Sequence, residues 1–398
     1  MLELVDGHIK YDYGKCQQCG ACLSVCPVAA LSARRLGNGL SEIVVDDATC
    51  IRCGRCVRVC PAGKESGFNG YFDGMPQRGY AFGYNADDAV RAASSSGGAC
   101  KTLIIESLRQ GLVDGVYTLR REEEYPGAHG EFYTRENIPG YDDIPNSVYH
   151  SVMQCRELTR VRRVDRLMIV GTSCQLRALE PALKGKYKTL IKVCIFCKQQ
   201  KTLDSTRFLA KAMGTRVPEN LKFSTRYRGE GWPGIVRVRE AALPYSRAAQ
   251  LPFGRRLWTV PGCNVCGDPF GWEAGADISL MDPWIIRQPN ALGETLMVVN
   301  TPEGRSLVDS VPSLVVEEKR YDEIAPALGV RDIKRKQALV PYFRGGKCSM
   351  RIKAAGRAEQ FQRWCLRGIA TLLPRMPIIF YRCLCRLPDL RNIILGKG

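Results

Sequence analysis

The chain has 398 residues, of which 45% are hydrophobic and 25% charged, a composition typical of a globular protein of two or three domains. It shows neither a signal-peptide pattern nor an apolar run as long as a membrane span. Its 19 cysteines are therefore expected to be cytoplasmic thiols that bind metal or carry redox chemistry, which argues against a disulfide scaffold. The formal net charge is +18, and three clusters of four thiolates, each about −2, would remove roughly six of these charges.

Two cysteine runs with one spacing open the chain, CQQCGACLSVCP from residue 16 and CIRCGRCVRVCP from residue 50. The spacing is typical of two-cluster bacterial ferredoxins, in which the fourth cysteine of each run ligates the other cluster. We therefore predict two 4Fe-4S clusters, one held by Cys16, Cys19, Cys22 and Cys60, and the other by Cys50, Cys53, Cys56 and Cys26. A pair of zinc sites is the alternative, but zinc ribbons do not ordinarily repeat this spacing. Between the runs we expect a hairpin that turns at 37–39, with a strand at 43–45.

The body of the chain alternates strand and helix patterns. A helical pattern begins near Ala86, and SSSGGA (94–99) directly precedes the helical KTLIIESLRQG. Hydroxyls and glycines before a helix offer N–H donors to a phosphate or carbonyl group, although a plain capped helix start is the alternative. Further on, RLMIV and KTLIKV read as strands, and SCQLRALEPAL and TLDSTRFLAKAM as helices, which predicts an α/β domain.

The cysteines of this body suggest a third metal site. Cys174 and Cys197 each follow a predicted strand, and Cys263 and Cys266 form a CxxC pair. Parallel strands would bring the two strand ends to one edge of the sheet, where the pair could complete four thiolates. A rival site would use Cys194 with Cys197, and a packed hydrophobic thiol is the alternative for either isolated cysteine.

The last part of the chain is basic: from residue 341 onward it has 12 Lys and Arg residues against two acidic ones. No nucleic-acid-binding motif accompanies these charges, so we expect no nucleic-acid partner. A peripheral contact with a membrane surface or an acidic partner is one interpretation, and a solvated basic helix is the other.

Several segments together resemble the coenzyme F420 hydrogenase/dehydrogenase beta-subunit family over roughly residues 80–300. They are SSSGGACKTLIIESLRQGLVDGVY, VGTSCQLRALEPAL, IFCKQQKT, RYRGEGWPG and CNVCGDPFGWEAGADISLMDPW. The wording of RGEGWPG and KQQKT is similar to that of bacterial members associated with polysaccharide biosynthesis.

The resemblance implies a flavin, FAD in preference to FMN, beside a third 4Fe-4S cluster. Cys174, Cys197, Cys263 and Cys266 coincide with the family's recurring cysteines, whereas Cys194 stands where relatives often have glycine. The implied flavin-binding residues are Ser94, Ser95, Ser96, Gly97, Gly98, Gly171, Thr172, Trp232 and Asp282. Relatives commonly have Gly-Asp where this chain has Met281-Asp282, so the methionine is expected to narrow the approach to the flavin and puts F420 in doubt as the substrate.

The resulting architecture is an α+β two-cluster ferredoxin domain followed by an α/β flavin and iron–sulfur domain. We divide the chain into a ferredoxin-type domain at 1–68, a flavin-side region at 69–150, a C-terminal family domain with the third cluster at 151–335, and a basic helical tail at 336–398.

The expected function is an oxidoreductase that passes electrons between the clusters and a small-molecule substrate through the flavin, together with a donor or acceptor protein or a reduced cofactor. A non-catalytic electron-transfer subunit is the alternative, and an iron–sulfur redox sensor is a third interpretation. No catalytic acid stands out. His8, His129 and His150 are expected to be surface or structural residues, and Tyr149 and Asp282 are weak candidates.

Overall fold

The structure is a computed structural model that describes residues 1–64, 67–183, 185–384 and 386–395. Its strands are β1 Leu2–Val5, β2 His8–Tyr11, β3 Leu31–Arg35, β4 Ser41–Val45, β5 Gly79–Asn85, β6 Gly115–Arg121, β7 Ala128–Thr134, β8 Arg166–Gly171, β9 Thr189–Ile195, β10 Thr225–Tyr227, β11 Ile235–Val238, β12 Ala241–Pro244, β13 Ile278–Met281, β14 Thr295–Val299 and β15 Leu314–Lys319. Its α-helices are α1 Ala21–Ser24, α2 Arg55–Val59, α3 Asp88–Ala93, α4 Ala99–Arg109, α5 Ser173–Leu183, α6 Leu203–Ala212, α7 Tyr245–Ala248, α8 Pro302–Asp309, α9 Tyr321–Leu328, α10 Val330–Arg344, α11 Met350–Leu372, α12 Ile378–Leu384 and α13 Pro388–Leu395.

The N-terminal unit consists of two antiparallel hairpins, β1–β2 and β3–β4, and two short helices. The hairpin predicted between the cysteine runs is confirmed, with Ala33 opposite Ile43. Each short helix starts directly after a glycine in the left-handed conformation, Gly20 or Gly54, a backbone geometry that a residue with a Cβ rarely adopts. This unit has a small core of its own that includes Leu2, Ile9 and Leu31.

An eight-stranded mixed sheet forms the body, in the order β15-β5-β14-β13-β9-β8-β6-β7. The four strands β13, β9, β8 and β6 run parallel to one another, and the pairs on either side are antiparallel. The predicted strands β8 and β9 and the predicted helices α4, α5 and α6 are all present. Because β8, β9 and β13 are parallel, the turns that follow them lie at one edge of the sheet.

Two layers of apolar side chains cover the central sheet. Helix α4 buries Leu103, Ile104 and Leu108 in one core cluster, and α5 buries Leu176 and Leu179 in another. The sheet takes strands from both the 69–150 and the 151–335 segments, so these two segments share one hydrophobic core.

A small three-stranded sheet, β10-β11-β12, packs with helix α6 and the basic tail. Their shared core includes Tyr227, Trp258 and Tyr381. In the described part of the chain, no helix is both long enough and apolar enough to cross a membrane.

Candidate functional site

The eight cysteines of the N-terminal unit fall into two groups. Burial raises the pKa of Cys22 well above its ordinary value, and neighbouring thiols raise it further, with Cys60 of the other run among them. Burial likewise raises the pKa of Cys56, and its neighbouring thiols include Cys26 of the first run. Each run therefore has the last cysteine of the other run as a neighbour, which is the arrangement that crossed ligands require. The ligand assignment itself stays a prediction.

The first cysteine group lies against the body of the protein. The N–H of Cys155 donates to the carbonyl oxygen of Cys19 at 2.9 Å. On the other side Gly262 touches the same loop so closely that a Cβ built there would lie 2.1 Å from the carbonyl oxygen of Cys16. The second group lies further out, and its Cys53 is exposed. The N-terminal unit thus presents its first thiol group to the body, whereas the second group reaches solvent through Cys53.

The four cysteines predicted for a third cluster come together at the edge of the sheet. Burial raises the pKa of Cys174 well above its ordinary value, and the thiol of Cys266 raises it further. The pKa of Cys197 is raised to about 12, mainly by burial and to a smaller extent by the neighbouring thiols of Cys263 and Cys266. The structure therefore brings these thiols into one neighbourhood, whereas their ligation of iron stays a prediction.

Asp268 fixes the turn that carries Cys174, a role that the sequence analysis missed. This carboxylate is fully buried and accepts hydrogen bonds from Ser173 Oγ and Tyr71 Oη, each at 2.6 Å. It lies in the chain just after Cys266, so it ties the loop of the CxxC pair to the turn after β8. An aspartate two residues beyond a CxxC pair was the only available signal.

The rival ligand Cys194 lies inside strand β9, with no exposed surface. It belongs to the core cluster under α5, and a Cβ on Gly271 would lie 2.6 Å from its sulfur. Its surroundings are those of a packed thiol, although the thiols of Cys197 and Cys174 lie nearby.

Within the described residues, no three His, Cys, Asp or Glu side chains are grouped as they would be around a single metal ion.

The loop at 94–98 meets a charged cluster around Asp282 at the same edge of the sheet. Ser96 Oγ donates to Asp282, Trp232 Nε1 donates to the same carboxylate at 3.1 Å, and the Arg228 guanidinium binds it through two nitrogens at 2.7 and 3.0 Å. Burial alone would raise the pKa of Asp282, but the charge of Arg228 and these hydrogen bonds hold it below its ordinary value. The charged form of Asp282 is therefore stabilised in this cluster.

Arg228 is the principal residue of this cluster that the sequence analysis did not single out. Its side chain is fully buried, it donates to the Ser95 carbonyl oxygen at 3.1 Å, and its guanidinium lies 4.6 Å from the centre of the Tyr245 ring. Its backbone has φ of +75°, an uncommon conformation for a residue with a Cβ. The only sign of this unusual backbone in the sequence was the Gly-Glu-Gly segment that directly follows Arg228.

A small cavity beside this loop is lined by basic and polar side chains and by the carboxylate of Asp142. Lys101, Arg226 and Ser147 line this cavity of about 30 Å³, and the buried Oδ1 of Asn146 in its wall has no hydrogen-bond partner. Burial lowers the pKa of Lys101 to about 8. The cavity has room for about two water molecules, so these segments would have to part to admit a larger group.

The remaining predicted flavin residues, Gly171 and Thr172, lie two strands away from Asp282 on the same edge. Thr172 is bound locally, its N–H to Gln175 at 2.8 Å and its hydroxyl beside the sulfur of Cys174 at 3.3 Å. They thus lie with the third thiol group and not with the loop at 94–98.

The histidines take structural places, as expected. His150 is buried against Thr206 and Pro126, and burial lowers its pKa to about 4. His129 pairs with Glu122 and Glu131, and His8 lies near Asp47 at the surface.

A wide groove of about 1530 Å³ opens beside the third thiol group. Lys198, Pro261 and Asn264 place it next to Cys197 and Cys263, and helices α10 and α11 form its far wall.

Comparison with known proteins places this geometry in a family. The N-terminal model of the coenzyme F420 hydrogenase/dehydrogenase beta subunit matches residues 81–136, and the C-terminal model matches residues 164–323. Two descriptions of a 4Fe-4S dicluster domain match residues 15–64 and 42–101. The chain belongs to the coenzyme F420 hydrogenase/dehydrogenase beta-subunit family.

A chain in the structure of the F420-reducing [NiFe] hydrogenase complex from Methanosarcina barkeri is similar at 19% identity, with 65% of this chain and 87% of that chain covered and a TM-score of 0.47. No curated protein matches the chain significantly. As a member of the beta-subunit family with an N-terminal dicluster domain, the protein is an iron–sulfur electron-transfer oxidoreductase. The prediction of a ferredoxin-like 4Fe-4S unit followed by an α/β domain is confirmed.

Proposed function

We propose that this protein passes electrons between a donor protein and a small-molecule substrate through two ferredoxin-type clusters, a third 4Fe-4S cluster and a bound FAD. The observation that carries the proposal is the position of Cys174. Its neighbouring thiols include Cys266 of the third group and Cys19 of the first. A cluster on each group would therefore form one continuous path from the N-terminal unit to the edge of the sheet.

The third cluster would be held by Cys174, Cys197, Cys263 and Cys266. Hydrogen bonds to the sulfurs tune the potential of such a cluster. Here the N–H of Gln200 points to the sulfur of Cys263 at 3.3 Å, and the hydroxyl of Thr172 lies 3.3 Å from the sulfur of Cys174. Lys201 lies close to Cys263; burial lowers the pKa of its amine well below the ordinary value, and the thiols of Cys263 and Cys197 act in the opposite direction.

The FAD would bind where the loop at 94–98 meets Asp282 and Arg228, with its phosphates toward the N-terminus of α4 and the basic cavity beside it. When bound, a flavin exchanges single electrons with clusters and pairs of electrons with organic substrates. The protein's own contribution is to orient and shield the site. Arg228 and Asp282 neutralise each other, and Trp232 and Trp284, with ring centres 4.9 Å apart, cover them.

The identity of the substrate is not fixed by the residue before Asp282. Met281 is buried in the core with Phe270 and Leu296, and successive side chains of a strand point to opposite faces. Contrary to the expectation from the sequence, the buried side chain of Met281 therefore does not narrow the approach to the flavin site. We also propose a cytoplasmic location, because a chain with 19 cysteines, many of them at metal-ligand spacing, is typical of a reducing compartment.

The deciding experiment is anaerobic purification followed by quantitation of iron, sulfide and flavin and by a screen of electron acceptors. We expect about twelve iron atoms and one FAD per chain, and flavin reoxidation by a small acceptor without another protein. Protein that neither retains nor binds FAD or FMN would contradict the flavin-dependent function. Full iron with no turnover of any small acceptor would instead identify an electron-transfer subunit.

A further inference from the structure

The long helix α11 packs on the protein with one narrow side. Gly356 is buried against the ring of Tyr342, and the carbonyl oxygen of Ala370 accepts a hydrogen bond from Trp258 Nε1 at 2.6 Å. Between them Glu359 faces the body and pairs with Arg363 and Arg256. At 3.6 residues per turn, these positions define the inward side of the helix.

The opposite side of α11 is apolar and faces outward. It carries Met350, Phe361, Trp364 and Leu372, with exposed fractions of 76, 65, 68 and 60%. Trp364, at the border of this side, also lines the wide groove. Phe361 and Trp364 stack on each other with ring centres 5.9 Å apart. A helix on the surface of a globular protein normally places charged and polar residues there, so this face is an unpartnered apolar surface.

Cations accompany this face in the first turns of the helix. Lys353 and Arg351 lie on its two flanks, Arg357 lies within it between Met350 and Phe361, and all three cations are exposed. The following helices continue the same character, with exposed Ile379 and Leu387 beside exposed Arg382 and Arg386. Acidic side chains are nearly absent, since the tail from residue 341 has two against 12 Lys and Arg.

We propose that the outward face of α11 binds the surface of an anionic lipid bilayer, with the helix lying in the plane of the headgroups. Trp and Phe beside basic residues are typical of helices that lie at the membrane interface, and length does not distinguish these from other helices. Anionic headgroups match the basic flanks. A second copy of the chain would set one strongly basic tail against another, which charge repulsion disfavours.

The test is flotation of the purified full-length protein with phosphatidylcholine vesicles, with and without phosphatidylglycerol. We expect the protein to float with the anionic vesicles only, and less so as salt is raised. Phe361→Glu/Trp364→Glu should weaken binding at least tenfold. A second variant, Arg351→Gln/Lys353→Gln/Arg357→Gln, keeps the apolar face and should also bind less.

The matched control is Leu4→Glu/Val44→Glu, which changes two exposed apolar residues of the N-terminal unit by the same charge. It should float like the wild type, and unchanged iron content would show that each variant is folded. The proposal would be overturned if the wild-type protein did not float with anionic vesicles, or if the two variants of α11 floated as the wild type does. Retention on an immobilised acidic ferredoxin without any vesicle binding would overturn it in favour of a protein partner.

Discussion

Cys174 and Cys194 belong to neighbouring strands, yet their surroundings differ. Cys174 lies in the first turn of α5, directly after β8, with part of its surface exposed and beside the thiol of Cys266. Cys194 is fully buried inside β9 beneath Gly271. A cluster ligand needs a sulfur that can face the cluster, whereas the sulfur of a packed thiol is enclosed by its neighbours.

We therefore expect Cys174→Ala to lose about four iron atoms of roughly twelve, and Cys194→Ala to keep them all. Cys194→Ala should instead lower the free energy of unfolding by about 1–2 kcal/mol, because it leaves a small cavity. Iron and sulfide analysis together with urea unfolding under anaerobic conditions measures both effects. Loss of iron in Cys194→Ala with full iron in Cys174→Ala would assign the site to the rival cysteine.

At the level of single residues, functional side chains can be predicted from the sequence where their function requires a regular spacing along the chain. Repeated cysteine spacing was sufficient to propose the ligands, because three cysteines on one tight loop have few other uses. Arg228 and Asp268 were not predicted, since each acts through a buried partner distant in sequence, Asp282 or Tyr71. No local sequence pattern predicts a buried pair of residues that are distant in the chain.

Among the structural elements, the loop around Gly262 joins the N-terminal unit to the third thiol group. Its backbone lies directly on the carbonyl group of Cys16 and leads into Cys263. The distance between the two thiol groups therefore depends on a contact that only glycine permits.

Gly262→Ala should push this loop away from Cys16, because the added Cβ would lie 2.1 Å from a backbone oxygen. We expect a loss of about 1–3 kcal/mol in stability and slower electron exchange between the N-terminal clusters and the rest. Urea unfolding and stopped-flow absorbance at the iron–sulfur bands measure these changes. Gly37→Ala, with nothing within 4 Å of the new Cβ, is the matched control. Equal behaviour of the two variants would show that the contact does not set this distance.

The predicted elements were those with a local signal. The hairpin β3–β4 and the alternation from β8 to α6 follow from turn residues and apolar runs close in sequence. The antiparallel strands β14, β5 and β15 were not predicted, because their place in the sheet comes from pairing with distant segments. The small sheet β10-β11-β12 was missed for a different reason, since its strands have only three or four residues.

In the whole molecule, the three thiol groups form an ordered series. The group with the exposed Cys53 is outermost, the group of Cys19 lies against Cys155 of the body, and Cys174 lies beyond it. A protein donor should therefore reach the outer cluster first.

Cys53→Ser is expected to slow reduction of the other clusters by a reduced ferredoxin at least tenfold, while dithionite reduces them as in the wild type. The reason is that a small reductant can reach each cluster, whereas a protein depends on the exposed one. Stopped-flow absorbance measures both rates, and Cys383→Ser, a change of an exposed tail thiol, serves as the control. Normal reduction of Cys53→Ser by ferredoxin would mean that the donor docks elsewhere, for example at the wide groove beside Cys263.

The pairing of β5 with β14 and β15 has a consequence for biogenesis. Both hairpins of the N-terminal unit pair within the first 45 residues, so this unit can close soon after it leaves the ribosome. Strand β5 ends at residue 85, but its partners begin only at residues 295 and 314. At roughly 5–20 residues per second, the ribosome needs about 10–40 s to proceed from the end of β5 to the start of β14. The first eight thiols can thus receive iron early in synthesis, whereas the site at the sheet edge must wait until β14 and β15 have been made.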